Sequence, residues 1–228
     1  MVVVVAAVVV GAAVSWGLMS DTESPADVYA DANQHLQESL AEEQISMSEM
    51  INFDSSELVA EFCHSLIEEA SSTGDDLVLN RAHAGGEPVE RCTSTEIFGR
   101  SGEFIGNIHM IGSQTEPTIV VGAVQAGPDD SPDDVVATFH TMVSVLVCDC
   151  WEEAMILPAP ETQERKSLEG MDGVRIGYDS LESMILDIGA KYADARFAAS
   201  GVIKLEGHLL QIILLSNASG TEWQLRII

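Results

Sequence analysis

The chain has 228 residues, of which 37 are Asp or Glu and 10 are Lys or Arg, giving a net charge of −27. A surface this negative repels phosphate backbones and anionic headgroups, so nucleic acid is set aside as a partner. Apolar content of 46% sets aside wholesale disorder.

The first nineteen residues, Met1 to Met19, carry no charged side chain, and seven of the first ten are valine. As a helix at ~1.5 Å per residue they would run roughly 28 Å, the thickness of a bilayer's hydrocarbon core. Trp16 would sit at headgroup depth. A retained membrane anchor is the preferred reading. A cleaved signal, with a small-residue site at Ala13-Val14-Ser15, and a buried core helix are the alternatives. An N-terminal apolar segment by default translocates the residues after it, so the rest of the chain is expected outside the cytoplasm, tethered by the anchor or secreted if the segment is cleaved.

Residues 1–80 hold 15 acids and no Lys or Arg; the remaining 22 acids and all 10 bases lie beyond Leu79-Asn80. This acidity has two readings: attraction to a cationic partner, or a solvated surface adapted to high salt, where screening relieves self-repulsion.

Ser24-Pro25-Ala26-Asp27 reads as a helix start, and Val28, Ala32, Leu36, Leu40, Met47 and Ile51 form a stripe that Gln44 interrupts. A helix over 26–51 is expected, as an acidic stalk occupying residues 20–52. A second helix is capped by Asp54 or Ser55, carries the row Leu58, Phe62, Leu66 and ends at Gly74. From Leu77 the period changes to two. Runs at 77–82, 89–97, 104–111 and 118–125 are separated by Gly- and Pro-rich turns short enough for an antiparallel meander. In the third run Phe104, Gly106, Ile108 and Met110 share a face; the fourth is apolar on both faces and is expected as a central strand.

Ser131-Pro132-Asp133-Asp134 opens a helix whose row Val135, Phe139, Met142, Leu146, Cys150 extends it to about Trp151. Leu157-Pro158-Ala159-Pro160 breaks the chain. Strands at 165–168 and 174–178 flank a Met171-Asp172-Gly173 turn. A helix over 181–192 and a run at 196–205 come next, then a Glu206-Gly207 turn, a strand at 208–215 and a last one at 223–228. The expected fold is α+β: an N-terminal transmembrane or signal helix, the stalk helix, then residues 53–228 as a single extracytoplasmic domain, an antiparallel sheet covered by two or three helices.

No phosphate loop, dinucleotide fingerprint, paired zinc ligands or nucleophile elbow occurs, so no catalytic, cofactor-binding or metal residue is assigned. Weaker constellations remain. Cys148-Asp149-Cys150 places two thiols about 200° apart on a helix, or on one face of a strand. His140, Ser144 and Cys148 share a helical row, as do Glu61, His64 and Glu68. His83, His109 and His208 are scattered; Asp129-Asp130 and Asp133-Asp134 flank a helix start; Asn217-Ala218-Ser219 is a glycosylation triplet. The four cysteines, Cys63, Cys92, Cys148 and Cys150, permit three disulfide pairings or buried free thiols.

The order of strands, a helix opened by Ser131-Pro132-Asp133-Asp134, and the Asp172-Gly173 and Glu206-Gly207 hairpins resembles the small PsbP-type extracytoplasmic domains over residues 77–215. That resemblance implies a domain that binds other proteins or assists assembly. The functional expectation, drawn from the anchor, the acidic stalk and the lack of a clustered catalytic set, is a membrane-tethered binding domain for a protein or small ligand, one that is cationic if the acids reflect a partner. The alternative is an exported hydrolase whose site is assembled from distant residues, recognisable if at least two of His140, Cys148, His109 and His208 meet in one cleft.

Overall fold

The computed structural model describes residues 25–53, 89–127, 132–157, 174–175, 177, 179–191, 196–217 and 220–228. The apolar segment Met1–Met19, the helix expected at 54–74, the strand at 77–82 and the 165–173 block lie outside them. Among the described residues no helix is long and apolar enough to cross a membrane.

Helix α1 (Pro25–Glu42) leads into the short strands β1 (Ser46–Met47) and β2 (Ile51–Phe53). Strands β3 (Arg91–Phe98), β4 (Phe104–Gly112) and β5 (Pro117–Ala126) form the expected meander. After α2 (Asp133–Leu146) and a 3-10 turn at Trp151–Glu153 come β6 (Met155–Ile156), β7 (Val174–Arg175) and α3 (Leu181–Lys191). The chain closes with β8 (Phe197–Ala199), β9 (Ile203–Leu205), β10 (His208–Asn217) and β11 (Gly220–Ile227). Among the described residues these strands join one sheet in the order β1-β3-β4-β5-β11-β10-β9-β6-β7, with β2 also on β3 and β8 on β10. The pairings described are antiparallel. The fold is thus α+β with an antiparallel sheet and few helices. β5 is central, between β4 and β11.

Side chains alternate across this sheet, as the two-residue period requires. Ile97, Ile108, Met110, Val124, Leu210, Ile212, Leu214 and Leu225 meet the buried faces of α1, α2 and α3 in the main core. On the opposite face Cys92, Ile111, Ile119 and Val121 form a smaller cluster. Two glycines let helices approach closely. A Cβ at Gly122 would fall on the Met142 thioether of α2, and one at Gly189 of α3 would lie 3.3 Å from the Trp223 ring.

Helix α1 does not stand off the domain as a stalk. Tyr29, Leu36 and Leu40 are fully buried in the main core, and Thr95 Oγ1 of β3 donates to Asn33 Oδ1 at 2.8 Å. The Tyr29 hydroxyl donates to the carbonyls of Ser113 and Glu116, while the Arg91 guanidinium lies 4.2 Å from the ring centroid. The helix also stops at Glu42, well short of the expected Ile51. Ile45 N–H donates to Leu40 C=O and Gln44 N–H to Ala41 C=O, with Gln44 at φ 64°. This is a Schellman stop, held by burial of Ile45 and Leu40.

Three further expectations are corrected. Helix α2 has Pro132 at its N-cap without a side-chain cap and ends at Leu146 rather than Trp151. A Cys148–Cys150 disulfide lies just beyond it, and thiols two residues apart on a helix point in directions too different to bond. The run 196–205 splits into β8 and β9. Between them Ser200 Oγ accepts from Ile212 N–H at 2.9 Å, replacing part of the ladder with a side-chain bond. Phe104 leaves the face of Ile108 and Met110, because the β3–β4 register shifts between Ile97 and Phe98. The Glu206-Gly207 turn forms as expected, both residues having positive φ (48° and 90°), as a tight two-residue hairpin requires.

Candidate functional site

A cleft of about 540 Å³ opens where β4 begins, β5 ends, β11 begins and α2 starts. Phe104 lines it and remains 45% exposed, unusual for a ring at the start of a strand. Its edge meets Phe98 with centroids 6.2 Å apart, which holds the ring in place. Four carboxylates line the same cleft: Glu103 from the turn before β4, Asp133 and Asp134 from the first turn of α2, and Glu222 from β11.

Arg100 lines the cleft with them. Its Nε lies 3.6 Å from Asp134 Oδ1, and its Nη2 lies 3.9 Å from Glu43 Oε2. The Ser101 hydroxyl donates to Glu103 and holds its carboxyl below the usual range. Gln224 Nε2 donates to Glu222 Oε1, and Arg226 Nη2 donates to Gln224 Oε1 at 2.6 Å. Lining carboxylates thus outnumber the lining guanidinium, beside an exposed aromatic ring. Chemically, that combination suits an organic cation. Among the described residues no group of three or more His, Cys, Asp or Glu is arranged to hold a metal ion.

Of the residues singled out from sequence, Asp133 and Asp134 line the cleft; His140, Cys148, His109 and His208 do not. His140 is exposed on α2. His109 is opposite Ser94 and Val121 in the sheet, where burial pushes its imidazole down to about 4. His208 opens β10 opposite Leu205. Ser144 donates to the Thr141 carbonyl within α2. Cys148 is bonded to Cys150, and Cys92 is disulfide-bonded to a partner outside the described residues. Glu61, His64, Glu68, His83 and Asp129-Asp130 also lie outside them, as do the last two residues of the Asn217 triplet.

Sequence reasoning missed Glu103, Phe104, Arg100 and Glu222. The turn between the runs at 89–97 and 104–111 was visible, but only the register shift after it turns Phe104 away from the core. Compared with protein-family models, curated proteins and solved structures, the chain finds no match.

Proposed function

We propose that this chain is a membrane-tethered extracytoplasmic binding domain that receives a cationic group of a protein or small ligand in the Phe104 cleft. The observation carrying this reading is an exposed aromatic ring beside four carboxylates in one concave site. The net charge of −27 would draw such a partner in from a distance. The uncharged Met1–Met19 segment supports the tether, and the disulfides support an oxidising compartment.

Titration of the full chain with a Lys-rich peptide and with its Nζ-acetylated, uncharged counterpart tests the site. Saturable binding of the basic peptide is expected, weakened by salt and reduced about 3- to 30-fold by Phe104→Ala. Binding that ignores Phe104→Ala and salt would overturn the assignment. Fractionation with N-terminal sequencing tests the tether: membrane-bound protein that resists carbonate extraction is expected, and soluble full-length protein in the cytosol would refute it.

A further inference from the structure

We infer that Cys148–Cys150 is a thiol–disulfide exchange site for a protein or peptide dithiol. A disulfide adds to stability by closing a loop in the unfolded chain, and a separation of two residues closes nearly the smallest loop possible. Fold stabilisation is therefore a poor reason for this bond. Both cysteines are half-buried, packed against the edge of the main core just beyond the C-terminus of α2, with exposed Asp149 between them, whereas Cys92 is buried. A disulfide with partial solvent access exchanges more readily than one anchored at a buried cysteine.

The reduced state also has a conformation to adopt. Cys150 continues the helical row of Leu146, and Val147 that of Val143. In the oxidised chain Cys148 N–H donates back to Val143 C=O, which Val147 N–H shares. With the bond cleaved, Cys148 N–H can pair with Ser144 C=O and carry α2 onward toward Trp151.

In the exchange a substrate thiolate attacks one cysteine sulfur, the Cys148–Cys150 bond breaks, and the other sulfur leaves as a thiolate that takes up a proton. The substrate's second thiolate then attacks its own sulfur in the mixed disulfide, forming the substrate disulfide and releasing the second cysteine. Two electrons pass from substrate dithiol to this chain. Exposed Asp149 and Glu153 favour a dithiol flanked by basic residues.

The test uses the oxidised full chain without denaturant. Dithiothreitol is added, aliquots are alkylated, and labelling of Cys148 and Cys150 is compared with that of Cys92 by peptide mass. Labelling at least about tenfold faster at the pair is expected. A reduced basic Cys-x-x-Cys peptide should become oxidised by one equivalent per chain, faster than an acidic one, and Cys148→Ser with Cys150→Ser should abolish this. Labelling no faster than at Cys92, or no peptide oxidation by the wild type, would overturn the proposal whether or not the variant folds.

Discussion

Tyr29→Phe separates α1 as a structural member of the domain from α1 as a passive neighbour. The substitution keeps the ring, and with it the apolar contacts and the Arg91 stacking at 4.2 Å. It removes one hydroxyl that donates to Ser113 C=O at 2.8 Å and to Glu116 C=O at 3.1 Å, tying α1 to the β4–β5 turn. Loss of a part-buried hydrogen bond should cost about 1–2 kcal/mol in urea melts at neutral pH. The same hydroxyl makes a pH signature. Burial pushes its pKa up to about 12, against the pull of Arg91 and helped by Glu116. A folded pKa above the unfolded value of about 10 means that its contribution is complete below pH 10 and lost as pH rises toward 12. The wild-type advantage over Tyr29→Phe should therefore shrink between about pH 10 and about pH 12. A difference below about 0.3 kcal/mol at neutral pH, or one that grows with pH, would refute the reasoning.

Three further outcomes are expected. Leu36→Ala empties a fully buried site on α1 and should cost about 2–5 kcal/mol; a cost under about 1 kcal/mol in the same melts would return α1 to the surface. His109 is held neutral, with a pKa of about 4, so its contribution is complete above about pH 6.5 and lost as pH falls toward 4; His109→Gln should flatten that part of the stability profile, and an unchanged slope would contradict it. If the acidity is adaptation to salt, the melting midpoint should rise steeply from low to molar monovalent salt, and a flat response would leave a cationic partner as the better account of the charge −27.

Local periodicity and turn chemistry were sufficient for much of the architecture. Alternation located β3, β4 and β5, the Glu206-Gly207 pair located its hairpin, and the apolar run at 118–125 marked a central strand. These signals lie within a few residues of one another, so they are written in the chain. Strand order was not. That β11 slots between β5 and β10 depends on which edges remain open after the meander forms. The role of α1 was equally hidden: its acids read as a solvated stalk, because a narrow apolar stripe does not say which surface it will meet, and only the docking of Tyr29, Asn33 and Leu36 decides. The cleft has the same origin. Glu103, Asp133 and Glu222 are far apart in the chain, and a register shift beside them turns Phe104 outward. Such a site exists only once long-range strand pairing has brought its parts together, which is why the residues that line it carry no common signature in the sequence.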